Sequence, residues 1–335
     1  MEPVTYAKNN GSKLYKFKKL KINCKAPKTF KELLLANLKK QLNQFKQEIR
    51  QEFLRTSDGS LNVGLNVILI DSMLREILNN THQHVLGNLD YKLSIIAVGG
   101  YGRGELAPHS DLDLLFLIPD DLNKTETKNI EGLVKLILYL LWDLGYTVGH
   151  STRTILDCIK KSKLDLTITT SLLEKRFIAG NEHIFDLLKT KFNSFIANTK
   201  TLNFVEAKLK ESDLRHKKFG GSRYVVEPNV KDGKGGLRDL HTLIWILKFA
   251  YKVDSISKLI NMGALSKNEA LAFAEAQRFL LSVRCHLHYR AQREDDRLAM
   301  DAQLEIAKSM NFKNTITHKD VERFMKRYFL ATKTV

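Results

Sequence analysis

The sequence predicts an α/β (α+β) domain with a mixed sheet, followed by an all-α helical domain. Short apolar segments with the length and β-branched content of strands lie at 93–98, 112–118 and 146–154, in the first half of the 335-residue chain. Beyond Leu237 the apolar residues recur mostly every three or four positions, which is typical of helices. These patterns divide the chain into a basic flexible arm at 1–28, an α/β domain with N-terminal helices at 29–200 and a helical domain at 201–335.

The N-terminal part is predicted to be a polar, lysine-rich arm followed by two helices. Thr29 fits the cap of a helix at 30–53, and a second helix follows at 62–79. Asp71 and Arg75 lie four residues apart in this second helix, so we interpret them as a surface ion pair.

The remaining elements follow from apolar spacing and from glycine breaks. A helix is predicted at 126–144, where Gly145 ends it, and the strand at 146–154 comes next. Further helices are predicted at 184–199, 203–218, 237–251, 267–293, 299–310 and 319–333, with a short strand at 223–226.

The most informative stretch joins the first two strands and reads IIAVGGYGRGELAPHSDLDLLFLI at 95–118. Asp111 and Asp113 alternate at the start of the second strand, so their carboxylates project from one face with Cα atoms about 6.6 Å apart. Two acids this close raise each other's pKa unless a cation lies between them. Because Mg²⁺ prefers carboxylate and phosphate oxygens, Asp111 and Asp113 are predicted to be its ligands.

The glycine-rich turn before these acids fits a phosphate group. Gly99 and Gly100 lack a Cβ, which lets backbone N–H groups approach a phosphate, and Arg103 is placed to reach anionic oxygens. Ser110 adds a possible phosphate contact. A strand, a glycine pair and a second strand that opens with Asp-x-Asp together indicate nucleotidyl transfer, with the two acids as catalytic residues. A dinucleotide-binding fold is not favoured, because a strand rather than a helix arrives within about a dozen residues.

Three stretches resemble one known family. VGGYGRGELAPHSDLDLLFL at 98–117 is similar to the signature of bacterial [protein-PII] uridylyltransferases, within the polymerase-β-like nucleotidyltransferase superfamily. EPNVKDGKGGLRDLH at 227–241 resembles the block that follows their catalytic domain, and RCHLHYRAQREDDRL at 284–298 resembles a later helical motif. The resemblance covers roughly residues 30–330, with the three stretches in the same order.

The resemblance implies a reaction and a more complete metal site. The implied reaction is Mg²⁺-dependent transfer of UMP from UTP to a tyrosine of the nitrogen regulatory protein PII, with release of pyrophosphate. Folds of this superfamily usually supply a third carboxylate from a later strand. Asp157, Asp165 and Glu174 all stay open for that role, with Asp165 favoured as a third catalytic acid, although Asp165 also fits a helix N-cap.

A basic, glycine-rich loop at 228–236 ends at a predicted helix start. Helix N-termini attract anions, so Lys234 and Arg238 are predicted to contact the nucleotide. A purely structural connector, capped by Asp232 or Asp239, remains the alternative.

Composition narrows the range of partners. The formal charge is +17, but the 54 lysines and arginines are spread along the chain without interleaved aromatic residues, so nucleic acid is not favoured as a partner. The three cysteines are far apart and form no CxxC pair, which indicates neither a disulfide framework nor a zinc site. Without a long apolar segment or a secretory signal, the expected location is the cytoplasm, away from membranes.

One departure from the family concerns its regulatory parts. Full-length members continue into an HD hydrolase domain that removes UMP and into two glutamine-sensing ACT domains. This chain contains no adjacent His-Asp pair, so both functions are expected to be absent from it. Two alternatives stay open: a nucleotidyltransferase with another protein or a small molecule as acceptor, and a non-catalytic remnant that binds PII.

Overall fold

The computed structural model describes residue 17 and residues 27–85, 92–315 and 318–335. The predicted basic arm at 1–28 lies almost entirely outside the described residues. Two long helices come first, α1 (Pro27–Thr56) and α2 (Gly59–Val85). Leu34, Leu38 and Leu42 of α1 are buried, and their spacing of four residues forms the apolar face that packs against α2.

The elements of the first half alternate between strands and helices. They are β1 (Ser94–Ala97), α3 (Gly99–Gly102), β2 (Leu112–Ile118), α4 (Lys124–Asp143), β3 (Val148–Thr154), α5 (Ile155–Leu164), α6 (Leu166–Leu173), β4 (Arg176–Gly180) and α7 (Glu182–Ala197). The second half is helical. It contains α8 (Thr201–Lys218), α9 (Leu237–Ala250), α10 (Ile256–Asn261), α11 (Lys267–Ala291), α12 (Met300–Ser309) and α13 (Asp320–Thr334).

The four strands form one mixed sheet in the order β3-β2-β1-β4, which confirms the predicted fold class. β1 pairs antiparallel with both β2 and β4, whereas β2 pairs parallel with β3. A parallel pair needs a crossover connection, and α4 provides it between β2 and β3. β1 therefore lies in the interior of the sheet, and its C-terminal end meets the N-terminal end of β2, where Ala97 pairs with Leu114.

The two central strands are buried on both faces, so side chains alternate between two cores. Leu112, Leu114 and Phe116 pack towards α1, α2 and α4. Leu115 and Leu117 pack towards the opposite side, where α7 and α9 lie. Asp113 has the same parity as Leu115, so its side chain projects on the face that α7 and α9 cover.

The helical region packs directly on the N-terminal helices. Gly59 donates its N–H to Ser282 Oγ at 2.9 Å, and a Cβ at Gly59 would lie only 2.2 Å from the Ser282 nitrogen. α2 and α11 therefore touch backbone to backbone at this point. One core combines Phe53 and Val63 with side chains of α11 to α13, so packing continues across the predicted boundary at residue 200, which stays a prediction.

Some local predictions were wrong or incomplete. The strand expected at 223–226 pairs with no strand of the described chain, and Tyr224 and Val226 are 67% and 60% exposed. The sequence analysis missed β4, a five-residue strand without polar alternation. Among the described residues, no helix is both long enough and apolar enough to cross a membrane.

The predicted ion pair between Asp71 and Arg75 forms, but Asp71 is buried and belongs to a larger cluster instead of lying at the surface. Its carboxylate accepts hydrogen bonds from Tyr101 Oη at 2.7 Å and from Arg176 Nη1 and Nη2 at 2.6 and 3.0 Å. Arg75 Nη2 lies further away, at 3.6 Å. Because Tyr101 is in α3 and Arg176 begins β4, the cluster fixes the glycine turn against α2.

Candidate active site

Asp113 lies between two glycines from different elements. It pairs with Gly149 in the parallel register of β2 and β3, and a Cβ at Gly149 would be 2.7 Å from Asp113 Oδ1. On the other side, a Cβ at Gly99 would be 2.6 Å from Asp113 Oδ2, and Gly99 has a φ of +58°. Both positions therefore need glycine if the carboxylate is to keep this orientation.

The electrostatic surroundings of Asp113 match those of an ion site. Burial and the neighbouring Asp111 carboxylate raise the pKa of Asp113, whereas Arg103, Lys231 and Arg238 oppose this rise. Asp111 itself is exposed at the mouth of the strand. A carboxylate whose ionisation a neighbouring carboxylate opposes, with three cations close enough to act on it, is suited to share a positive ion and to receive a polyanion.

Ser110 carries a polar atom without a protein partner. Its Oγ is buried and makes no hydrogen bond in the described chain, while its backbone N–H bonds to Ala107 O at 3.1 Å. A buried hydroxyl without a partner is uncommon in folded proteins, and a ligand oxygen would satisfy it. The donor chemistry around Asp111 and Asp113 therefore fits Mg²⁺ together with a phosphate.

Gly100, unlike Gly99, lies where the backbone leaves room for a side chain. A Cβ at Gly100 would lie 3.4 Å from Glu105 O, an ordinary contact, so the fold itself tolerates a side chain there. The predicted role of Gly100 in phosphate binding stays a prediction, and it rests on the open approach that glycine leaves to the backbone.

Arg103 is held beside the acids by a buried network. Its Nε lies 3.4 Å from Glu105 Oε2, and its guanidinium lies 5.7 Å from the centre of the Trp245 ring. Burial alone would raise the pKa of Glu105, but His241 and Arg103 lower it to about 2. Burial and Arg103 lower the pKa of His241 to about 4, so at neutral pH this histidine is uncharged beside an ionised carboxylate.

The basic loop is held by Asp239, and two of its cations have carboxylate partners: Lys231 Nζ lies 2.7 Å from Glu294 Oε1, and Arg238 Nε lies 3.3 Å from Asp232 Oδ1. Asp239 accepts a hydrogen bond from the Gly235 N–H at 2.7 Å and lies 2.8 Å from His216 Nε2. Asp239 thus stabilises the loop as a connector, whereas contact of Arg238 with the nucleotide stays a prediction, and the structure shows only that Arg238 lowers the pKa of Asp113. Lys234 is exposed, and its predicted contact with the nucleotide stays untested.

A buried histidine links the turn before Ser110 to the basic loop. His288 Nδ1 bonds to Pro108 O, and its Nε2 lies 3.2 Å from Asp296 Oδ1. Asp296 also accepts from Arg284 Nε at 2.7 Å, and its Oδ2 lies 3.7 Å from Lys231 Nζ. The third motif of the sequence thus positions both Lys231 and the turn before Ser110.

Among the described residues, none of the candidate acids Asp157, Asp165 and Glu174 forms a metal-binding group with Asp111 and Asp113. Asp165 is exposed and caps α6, where its Oδ1 accepts from the Thr167 N–H at 2.7 Å. Asp157 is exposed in the first turn of α5, and buried Glu174 accepts from Trp245 Nε1 at 2.7 Å. The described parts of the chain contain no group of three His, Cys, Asp or Glu side chains that could hold a metal. The proposed role of Asp165 in catalysis is therefore without structural support, since its capping contact accounts for it.

Two family models and several curated proteins match this chain. Residues 74–178 match the family described as nucleotidyltransferase domain, and residues 203–335 match GlnD PII-uridylyltransferase. The chain is 45% identical over 307 residues to a bifunctional uridylyltransferase/uridylyl-removing enzyme from Rhodospirillum rubrum, and 44% identical over 306 residues to one from Azospirillum brasilense. The resemblance to PII uridylyltransferases is confirmed.

These alignments include most of this chain but only part of each relative. They cover 90% of the chain and 32% of either enzyme, so the chain spans about a third of the length of the curated relatives it matches. The first matched region contains β1, the glycine turn and the acid pair. The second contains the basic loop and the histidine motif.

Gly149 provides a test of whether the two glycines hold the Asp113 carboxylate in its orientation. Gly149→Ala places a methyl group against Asp113 Oδ1, so the carboxylate has to rotate away while the strand keeps its register. We expect the transfer rate to fall by about a hundredfold, the order that a displacement of about 1 Å can cause. The control is Gly132→Ala in α4, where an added Cβ meets nothing within 4 Å and activity should not change. Equal activity of both variants would show that Gly149 is not needed to orient the Asp113 carboxylate.

The basic loop provides a second test. Arg238→Ala removes one of the cations that oppose the raised pKa of Asp113. We expect the KM for nucleotide to rise about tenfold, as for the loss of one charge-assisted hydrogen bond. Lys234→Ala, on the same loop but with an exposed side chain, should have a smaller effect. Steady-state kinetics over a nucleotide titration measure both, and an unchanged KM in Arg238→Ala would show that this side chain does not face the nucleotide.

Proposed function

We propose that this chain transfers UMP from UTP to a tyrosine hydroxyl of the signalling protein PII, with release of pyrophosphate and dependence on Mg²⁺. The observation that carries the proposal is the acid pair beside a glycine turn, with Asp113 held between Gly99 and Gly149. The names of the relatives support the choice of uridylyl transfer, and the PII-uridylyltransferase family model supports the choice of acceptor. UTP and a nitrogen-signalling protein are cytoplasmic molecules, so we place the reaction there.

The chemistry is an in-line displacement at the α-phosphorus of UTP. A bond forms between the tyrosine oxygen and the α-phosphorus, and the bond from that phosphorus to the bridging oxygen breaks. Pyrophosphate leaves with the electron pair, and the hydroxyl proton passes to solvent. The tyrosine therefore receives the uridine together with only the α-phosphate of UTP.

The residues of the site divide into metal ligands and groups that bind phosphate. Asp111 and Asp113 would hold Mg²⁺, which when bound supplies positive charge to the phosphate oxygens. Arg103, Lys231 and Arg238, the cations that act on Asp113, would neutralise the triphosphate. The Ser110 hydroxyl would gain the partner that it lacks in the protein.

Positioning rather than acid–base chemistry is the main contribution of this site. The buried His241 is engaged by Glu105, with 2.7 Å between its Nε2 and Glu105 Oε2. Phosphoryl transfers need little beyond alignment and charge stabilisation. Asp239 holds the basic loop and His288 holds the turn before Ser110, each through a hydrogen bond to the backbone. These contacts fix the alignment that phosphoryl transfer needs.

Acceptor and base specificity are tested with purified PII. The chain, Mg²⁺ and α-labelled UTP should label PII, and unlabelled UTP should compete better than ATP, GTP or CTP. PII with its acceptor tyrosine changed to phenylalanine should stay unlabelled. Labelling that follows another nucleotide would indicate a nucleotidyltransferase of different substrate, and PII binding without labelling would indicate a non-catalytic protein.

A further inference from the structure

A second cavity lies beside the candidate active site. It encloses about 600 Å³ between α7, α9, α10 and α11, and it extends to the backbone of Gly102 and to Arg103 at the end of α3. The residues of the acid pair do not line it, and neither do Gly99, Gly100 or Ser110. The cavity is therefore a separate space that shares one wall, Arg103, with the site of the acids.

The walls from the helical region are mostly apolar. Leu240 and Ile244 come from α9, and Ala270, Phe273 and Ala274 come from α11. A cavity of this size and character fits a small organic molecule, because ligand sites are typically apolar with a few charged groups that fix orientation.

The charged groups of the cavity include three lysines without a carboxylate partner, although Lys175 Nζ donates to Leu172 O at 3.2 Å. Lys175 follows α6, Lys189 lies on α7 and Lys267 begins α11. Among the described residues, no carboxylate lies within ion-pair distance of these three ammonium groups. Burial, together with repulsion from Lys189, lowers the pKa of Lys175 to about 8, so an anion in the cavity would relieve unfavourable charge.

The acids that line the cavity already have partners. Glu174 accepts from Trp245 Nε1 at 2.7 Å, and Asp254 Oδ1 lies 2.8 Å from Lys258 Nζ. Glu105 is engaged by its buried network, described above. More cationic than acidic side chains line the cavity, so positive charge is in excess there.

We propose that this cavity is a second ligand site, separate from the acid pair, and that it binds an organic phosphate with an apolar or aromatic body. The three lysines would contact the phosphates, and the walls of α9 and α11 would hold the body. The proposal does not depend on the proposed transfer reaction, since it concerns binding alone. Three ammonium groups favour phosphates over a single carboxylate, because multiple negative charges match them.

The test is a calorimetric titration of the whole chain with ADP in EDTA, so that the metal-dependent site stays empty. We expect saturable binding of one ADP per chain. Lys189→Ala should weaken it at least tenfold, and Ala274→Trp, which fills the cavity without altering charge, should abolish it. Lys191→Ala, on the same helix but outside the cavity, is the matched control and should bind as the unmodified chain does.

Two outcomes would overturn the proposal. One is the absence of saturable ADP binding in EDTA by a chain that is folded, as judged by its thermal unfolding. The other is binding that survives Lys189→Ala and Ala274→Trp but is lost on Arg238→Ala, since the nucleotide would then occupy the site of the acid pair, where Arg238 is one of the cations that act on Asp113.

Discussion

Asp113→Asn is expected to reduce nucleotidyl transfer by about a thousandfold or more, because it removes one of two predicted metal ligands at the reacting phosphate. The same change should leave the protein as stable as before or more stable when metal is absent. Burial and Asp111 raise the pKa of Asp113 above its usual value in the folded state. An acid whose pKa is higher in the folded than in the unfolded state destabilises the fold once the pH exceeds its unfolded-state pKa. At neutral pH the ionised Asp113 therefore lowers the unfolding free energy. Asparagine, which does not ionise, removes this loss.

Two measurements separate this result from a loss of folding. The transfer rate is compared with the thermal unfolding temperature, each with and without Mg²⁺. Metal should stabilise the unmodified chain and have no effect on Asp113→Asn. Asp157→Asn, an exposed acid in the first turn of α5, is the control and should behave as the unmodified chain does. A rate near that of the unmodified chain in Asp113→Asn would disprove the assignment of the site.

Asp71→Ala is expected to cost about 3 to 5 kcal/mol of unfolding free energy, the range seen when one partner of a buried ion pair is removed. The change leaves the guanidinium of Arg176 without its carboxylate and the Tyr101 hydroxyl without its acceptor. Burial and the Asp71 carboxylate raise the pKa of Tyr101 well above its usual value, so this hydroxyl stays a donor at all physiological pH values.

Urea unfolding measures this loss, and Asp186→Ala on α7 is the control. Asp186 is exposed, and its carboxylate has no ion pair among the described residues, so its removal should change stability by less than about 0.5 kcal/mol. A comparable small loss in Asp71→Ala would show that the cluster does not hold α3 against α2. Activity should also fall in Asp71→Ala at temperatures where the chain is still folded, because Tyr101 neighbours the glycine turn.

The sequence could predict the elements whose evidence is local. Alternation predicts that Asp111 and Asp113 project from one face; Asp113 lies in β2 and Asp111 directly precedes it. Spacing of three and four predicts α1, α9 and α11 within a few residues of their observed ends. The glycine pair was recognised for the same reason, since it interrupts an apolar segment.

Features that depend on distant contacts could not be predicted in this way. The hydrogen-bonding partners of Asp71 lie 30 and 105 residues away, so the sequence shows only the weaker i, i+4 pair with Arg75, which forms at 3.6 Å. Gly149 gave no signal, because its role comes only from the register that brings β3 beside Asp113. Asp165 was ambiguous between a cap and a metal ligand until the position of α6 showed the capping contact.

We propose above all that this site transfers the uridylyl group of UTP, which contains the α-phosphorus. The most direct test compares UTP labelled at two different phosphorus atoms. The chain is incubated with Mg²⁺, PII and UTP labelled at either the α- or the γ-phosphorus. The account predicts that α-label enters PII and that γ-label appears only in pyrophosphate. Transfer of γ-label to PII, or no transfer of either label by folded protein, would contradict it.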